Sequence, residues 1–185
     1  MTLSATGTVT LPVSPSVLLQ TVIERIRPTL DGDVIISLQP AWDAILKLLE
    51  QEPDVLFKMD PYKLEQLIAA SYDQAGFDEV VITPRSGDLG RDVIATKRGY
   101  FSVRILDSVK RYAPHRPVSA AEVQSLLAAL TGDRLASKGV VTTTSTFAPR
   151  IKDHPLIAPF VPTRLELVDG VDLRKRLMQL KKPGS

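Results

Sequence analysis

The sequence predicts an α/β fold in which a mixed central sheet is flanked by helices and preceded by a helical N-terminal extension. Three observations favour this fold. A helical pattern opens at Asp60-Pro61 and ends at Gly76. Short β-type runs then fill the segment from 80 to 110. A second helical pattern, starting at Ser119, leads into a β-branched run from Gly139 to Thr144, the order of a strand-helix-strand crossover.

The chain length and cysteine content limit the architecture and the kind of metal site. The 185 residues suffice for one globular domain with an appendage. The sequence contains no cysteine, which excludes disulfides and thiolate metal sites. Any bound metal must therefore use oxygen or imidazole ligands.

The N-terminal sequence has no basic run followed by an apolar core, and no apolar run reaches the roughly 20 residues that span a bilayer. We therefore expect a cytoplasmic protein with no membrane partner.

The extension is predicted to cover residues 1–58, to be mostly helical and to pack on the α/β domain of residues 59–182. Ser14 or Ser16 caps a predicted helix over Val17 to Arg27. A short strand follows from Asp33 to Leu38, and a second helix begins after Pro40.

A predicted β-hairpin contains the residues of greatest chemical interest. Its first strand runs from Arg91 to Thr96, and its second strand reaches Lys110 after a Lys-Arg-Gly turn. The alternation of side chains puts Ser108 and Lys110 on one face of the second strand. Asp92 lies on the first strand, and this arrangement suits metal-dependent phosphodiester chemistry. Glu65 lies at one edge of the apolar stripe of the preceding helix, where its carboxylate can lean towards the domain.

Positive charge is concentrated around this hairpin, although the formal net charge of the whole chain is only +2. Between residues 97 and 116 there are six basic residues and one acidic residue. A polyanion is therefore expected to bind this end of the molecule. The candidates for phosphate contacts to such a polyanion are Arg85, Lys97, Arg98, Arg111 and Arg116.

From about Pro40 onwards the chain resembles the catalytic domain of Mrr-type restriction endonucleases, part of the PD-(D/E)xK nuclease superfamily. Six segments are similar to the family pattern: Tyr-Lys-Leu-Glu-Gln-Leu-Ile (62–68), Ala-Gly-Phe (75–77), Thr-Pro-Arg-Ser-Gly-Asp-Leu-Gly-Arg-Asp-Val-Ile-Ala (83–95), Val-Lys-Arg-Tyr (109–112), Gly-Val-Val-Thr-Thr-Thr (139–144) and Leu-Val-Asp-Gly (167–170). The resemblance implies a restriction-endonuclease-like fold. It also implies a metal-binding role for Asp92 and a catalytic role for Lys110. Glu65 matches the family's glutamate on the helix before the first core strand.

The chemistry of the implied reaction suits these residue types. A divalent cation neutralises the phosphate and lowers the pKa of an attacking water. Mg²⁺ needs only one or two protein carboxylates besides a substrate phosphate, and Asp92 and Glu65 supply two. A lysine beside the cation can hold the water and offset charge that develops on phosphorus.

The sequence departs from the family pattern two residues before the lysine, where the family usually has glutamine or glutamate and this chain has Ser108. Two alternatives follow. Ser108 acts as a neutral, weak or water-mediated ligand, or a β-bulge near Leu106 turns Asp107 into the site. Asp107 cannot join Lys110 in a regular strand, because neighbouring side chains point to opposite faces.

The predicted function is Mg²⁺-dependent cleavage of DNA within a restriction or defence system, with a homodimer as a possible assembly. The first alternative is the same fold with a weakened site, which binds DNA or a protein partner without cutting. The second is an assembly subunit that interacts through its acidic N-terminal half.

Overall fold

The computed structural model describes residues 22–84 and 90–181 and contains a mixed sheet of seven strands in sequence order. The first five strands pair antiparallel, and the last three pair parallel. This confirms the predicted α/β fold with a mixed central sheet. The strands are β1 Ile23–Pro28, β2 Asp33–Ser37, β3 Glu79–Ile82, β4 Val93–Lys97, β5 Val103–Lys110, β6 Lys138–Thr143 and β7 Leu165–Val168.

Five α-helices accompany the sheet in the part of the chain that the structure describes, and local signals at their first residues explain three of them. Asp60 accepts a hydrogen bond from Tyr62 N–H, and Ser119 forms a capping box with Glu122, both as predicted. Asp169 accepts from two N–H groups of the last helix. The helices are α1 Gln39–Gln51, α2 Val55–Lys58, α3 Pro61–Gln74, α4 Ala120–Gly132 and α5 Gly170–Gln179.

Apolar side chains are buried on both faces of the sheet, which therefore lies between two helical layers. One core unites α1, α3 and α5 with the sheet through residues such as Trp42, Leu64 and Leu173. The other packs α4 against Ile94 and Leu106. Because both faces are covered, β4 to β6 are rich in buried β-branched and aliphatic residues.

The helix predicted over Val17 to Arg27 is wrong for its described part, because Ile23–Pro28 form the edge strand β1. This strand pairs antiparallel with β2 across a turn at Gly32, whose φ of +142° favours glycine. Its apolar residues have a spacing that suits a helix, but Ile26 is half exposed in the strand. Pairing with β2 thus outweighs the local pattern, while residues 17–21 lie outside the described residues.

The described part of the predicted extension, residues 22–58, contains two strands as well as two helices, so it is not mostly helical. β2 pairs with β3 and so joins these strands to the main sheet. The boundary at residues 58 and 59 stays a prediction. Among the helices of the described residues, none is both long and apolar enough to cross a membrane.

Candidate functional site

The antiparallel pairing of β4 with β5 brings Asp92 and Lys110 together. Asp92 directly precedes β4 and Lys110 ends β5, so the two meet at the same end of the hairpin. Lys110 Nζ lies 3.8 Å from Asp92 Oδ2. The same carboxylate oxygen accepts a hydrogen bond from Val109 N–H at 2.6 Å, and Asp92 N–H donates to Asp107 O at 2.8 Å. Main-chain contacts with β5 therefore hold both the backbone and the side chain of Asp92.

Glu65 approaches Asp92 from the first turns of α3. Both residues line a cavity of about 300 Å³, together with Asp60, Tyr62 and Thr83. The helix begins at Pro61 because Asp60 caps it, and this start places Glu65 in the wall of the cavity. The two carboxylates that the sequence predicted as partners thus border the same space.

β5 is regular around Leu106, where a bulge would be needed to turn Asp107 into the site. Its register with β4 is unbroken from Val103 to Asp107, and its register with β6 is unbroken from Ile105 to Lys110. Regular pairing places Ser108 on the same face as Lys110 and Asp107 on the opposite face. Ser108 is buried, with only 2 % of its surface exposed.

Asp107 belongs to a buried hydrogen-bond network behind the site. Its Oδ2 accepts from Tyr72 O–H at 2.8 Å and from Thr142 O–H at 3.0 Å, while Oδ1 is buried without a partner among the described residues. Burial raises the pKa of Asp107 to about 7 against the lowering effect of these two hydrogen bonds, and the nearby charge of Asp92 adds to the rise. The alternative in which Asp107 turns into the site is therefore wrong for this structure.

The donors at the site fit a hard divalent cation with few protein ligands. Within the described ranges, no three acidic or histidine side chains are grouped so as to hold a metal ion together. Asp92 and Glu65 nevertheless line one cavity. A carboxylate has about four lone-pair sites, so the hydrogen bond from Val109 N–H leaves Asp92 able to accept further contacts. Mg²⁺ can be held by one or two carboxylates when waters and a substrate phosphate complete its shell.

The structure separates the predicted DNA-contacting residues into two groups. Lys97 and Arg98 lie at the far end of β4, roughly 17 Å along the strand from Asp92. Lys97 lies 3.7 Å from Asp78, and Arg98 lies 3.5 Å from Glu79. These two basic residues are therefore not brought together with the carboxylates of the site.

Arg111 and Arg116 lie at the end of the sheet that carries Lys110. Arg116 packs over the ring of Tyr112, with 4.0 Å between its guanidinium carbon and the ring centroid. Tyr112 O–H in turn donates to Glu122 at the start of α4. Arg111 Nη1 donates to Phe57 O at 3.4 Å. Arg85, the fifth candidate, lies outside the described residues.

A group of four charged residues next to Asp92 was missed by sequence reasoning. Arg91 and Arg104 both bridge Asp31 and Asp133. The acids come from the β1–β2 turn and from the end of α4, far from the arginines in the chain. No local pattern marks such a group, because only the folded sheet brings its members together.

Comparison with one solved structure supports the fold. The DNA modification-dependent restriction endonuclease AspBHI is similar with a TM-score of 0.53 and 20% identity, over 78% of this chain and 36% of that one. The MspJI restriction endonuclease in complex with a 27-mer oligonucleotide gives a TM-score of 0.49 and 19% identity, over 75% and 32% of the two chains. At these identities the AspBHI likeness concerns the fold alone.

Sequence comparison identifies a relative and a family. The uncharacterized protein y4cE of Sinorhizobium fredii (strain NBRC 101917 / NGR234) is 30% identical over 110 residues, which are 57% of this chain and 28% of that protein. The chain thus spans less than a third of that relative. The Mrr_cat family model, described as restriction endonuclease, matches residues 56–177. This match confirms the resemblance seen in the sequence, and the chain belongs to the Mrr_cat restriction endonuclease family.

Proposed function

We propose that this domain hydrolyses phosphodiester bonds of DNA with the help of a divalent cation. The observation that carries the proposal is that Asp92 lies 3.8 Å from the ammonium group of Lys110 and also lines a cavity together with Glu65. Membership of a restriction endonuclease family supports the same class of reaction. The likeness in fold to AspBHI, a DNA modification-dependent restriction endonuclease, supports a restriction system as the setting.

Each side chain of the site has a role that follows from its position. A bound cation such as Mg²⁺ neutralises phosphate charge and supplies a water of lowered pKa. Asp92 and Glu65 are the residues that would hold it. Val109 N–H fixes the orientation of the Asp92 carboxylate, so the oxygen ligand is positioned before substrate arrives. Lys110 places its ammonium group beside this carboxylate, where it can hold the attacking water and offset the charge developing on a phosphate.

Positively charged residues at the same end of the sheet support DNA as the substrate. Arg111 directly follows Lys110, and Arg116 lies in the loop after it; we propose that both bind phosphates flanking the scissile bond. The Tyr112 ring packs against the Arg116 guanidinium. Because one site cuts one strand, a homodimer would allow cleavage of both strands of a duplex.

A second candidate function is DNA binding without efficient cleavage. It is favoured by Ser108, a buried hydroxyl at the position where the family usually supplies a carboxylate or an amide. Asp107 cannot replace it, because its carboxylate is held on the opposite face by Tyr72 and Thr142. The cation would then be held by fewer protein oxygens, which lowers its affinity.

Treatment of supercoiled plasmid with the native protein tests both candidates. The primary proposal predicts nicked or linear DNA with Mg²⁺ or Mn²⁺, and no cleavage with EDTA. Binding of a DNA duplex is measured in parallel at rising salt. Binding that weakens with salt but brings no cleavage would support the second candidate. An absence of both binding and cleavage would contradict both.

A further inference from the structure

Arg91, the residue before Asp92, takes part in a closed ring of four ion pairs. Its Nη2 lies 3.1 Å from Asp31 Oδ1, and its Nη1 lies 3.2 Å from Asp133 Oδ2. Arg104 completes the ring, with Nη2 3.0 Å from Asp31 Oδ2 and Nε 3.1 Å from Asp133 Oδ2. Each guanidinium therefore spans the two carboxylates, and each carboxylate receives both arginines.

Three of the four side chains in the ring are largely shielded from water, whereas the Asp31 side chain is 36% exposed. The side chains of Arg91, Arg104 and Asp133 are 17%, 16% and 11% exposed. Ion pairs in such surroundings are screened less than surface pairs. The planar fork of arginine is needed to reach two carboxylates at once, which the single ammonium of lysine cannot reproduce. The ring is thus a defined geometric constraint on the Arg91 side chain.

The backbone around Arg91 is also held by Thr83, which directly follows β3. Thr83 O–H donates to Arg91 O at 2.7 Å, and Thr83 N–H donates to Asp92 O at 3.1 Å. Gly90, on the other side, has a φ of +77°, a conformation that side chains disfavour. The Arg91 side chain is therefore the connection between this segment and two distant parts of the chain, the β1–β2 turn and the end of α4.

We propose that Arg91 is a positioning residue for Asp92, and that Asp31 makes the β1–β2 turn part of the support of the active site. This proposal rests on the proposed function, in which Asp92 is a residue that would hold the cation. The ring fixes the Arg91 side chain, and Arg91 thereby adds a second support to Asp92 besides the contacts with β5 and Thr83 that hold its backbone and carboxylate. Displacement of a reacting group by about 1 Å can lower a rate by about 100-fold, so a support at this point has a large effect on chemistry.

The Val109 amide provides a direct readout of Asp92 position. It donates to Asp92 Oδ2, so its hydrogen exchange reports whether the carboxylate is in place without any need for cleavage. The test compares native protein with Arg91→Gln, Arg91→Lys and Asp31→Asn. Arg104→Gln is the matched control, because it breaks the same ring but lies in β5 opposite Thr96, away from Asp92.

We expect Arg91→Gln to speed exchange of the Val109 amide by about tenfold or more, with a parallel loss of cleavage, relative to the Arg104→Gln control. Asp31→Asn should shift both readouts in the same direction by a smaller factor. If Arg91→Gln does not fold, Arg91→Lys decides, since it retains the charge and loses the fork.

Equal effects of the Arg91 and Arg104 variants on the Val109 amide would overturn the proposal, because the ring would then be a general stabiliser. An unchanged Val109 amide in a folded Arg91 variant would overturn it as well. Failure of the proposed function is seen separately, as native protein that does not cleave DNA. The exchange measurement then still decides whether Arg91 holds Asp92 in position.

Discussion

Lys110 Nζ lies 3.8 Å from Asp92 Oδ2, and that oxygen also accepts the N–H of Val109, the residue before the lysine. One strand end thus supplies both a positive charge and a fixed hydrogen bond to the aspartate. The lysine lies within reach of any group that the carboxylate helps to bind. This relationship depends on the regular course of β5, because a slip of one residue would turn Lys110 to the other face.

Asp107, on the other face of β5, predicts a pH dependence of stability. Burial raises its pKa to about 7, whereas an unfolded aspartate titrates near 3.9. Between these two pKa values, the Asp107 carboxyl is protonated in the folded state and ionised in the unfolded state. The proton stabilises the folded state, and this stabilisation is lost as the pH rises through about 7. We expect native protein to lose about 2 kcal/mol more stability than Asp107→Asn between pH 5 and pH 8.

Urea denaturation of both proteins at the two pH values measures this difference. Subtraction of the two pH dependences gives the contribution of Asp107 together with the effect of its charge on Asp92 and Tyr72. Identical pH dependence in the two proteins would show that Asp107 is not protonated in the folded state.

Because Ser108 brings no carboxylate to the site, we predict that a substitution at this position can increase the affinity for a cation. Ser108→Glu places a third carboxylate on the face that carries Lys110, and we expect binding of Mn²⁺ to tighten by about tenfold. Isothermal titration calorimetry with Mn²⁺ checks this value. Ser102→Glu, an exposed change before the same strand, is the control and should leave affinity unchanged. Unchanged or weaker binding by a folded Ser108→Glu variant would argue against a cation site at this position.

Arg116 and Arg98 lie at opposite ends of the hairpin, so we predict that their replacement has different effects on DNA binding. Arg116→Ala removes a cation at the end of the sheet that carries the site, so DNA affinity should fall and the salt dependence should weaken by about one unit of slope. Arg98→Ala removes an equal charge at the other end, beside Glu79, and should change neither quantity. Fluorescence anisotropy over a salt series measures both. Equal losses of DNA affinity in the two variants would mean that DNA contacts both ends of the hairpin.

Gly170 predicts a stability effect at the start of α5. A Cβ at this position would lie 2.1 Å from Thr144 O, so Gly170→Ala must move α5 away from the end of β6. We expect a loss of about 2 kcal/mol or more in the free energy of unfolding.

Gly132→Ala is the matched control at the end of α4, where an added Cβ meets nothing within 4 Å. It should raise stability by about 0.5–1 kcal/mol through helix propensity. Thermal denaturation of both variants gives the comparison. A Gly170→Ala variant as stable as the native protein would show that the contact with Thr144 is not tight in solution.

Local signals account for the parts of the fold that the sequence predicted well. The capping box of Ser119 with Glu122 and the Asp60-Pro61 start need only neighbouring residues, so they can be recognised without a tertiary structure. The placement of Ser108 and Lys110 on one face follows from strand alternation alone. The meeting of Asp92 with Lys110 was expected from the hairpin and from the family resemblance together.

Long-range relationships account for what the sequence did not predict. Ile23–Pro28 have a spacing compatible with a helix, and only the presence of β2 makes them a strand. Lys97 and Arg98 are close to Asp92 in the chain, yet an extended strand carries them away from it. The pairing of Arg91 with Asp31 joins residues on either side of β2 and β3, which no local pattern reveals.

Single-turnover cleavage of DNA by native protein and by Asp92→Asn tests the central claim most directly. The substitution removes the charge that faces Lys110 and retains the size of the side chain. The account predicts that the cleavage rate falls by at least about 100-fold while DNA affinity, measured in parallel, changes by less than about threefold. Cleavage by Asp92→Asn at a rate within a few-fold of the native rate would contradict it.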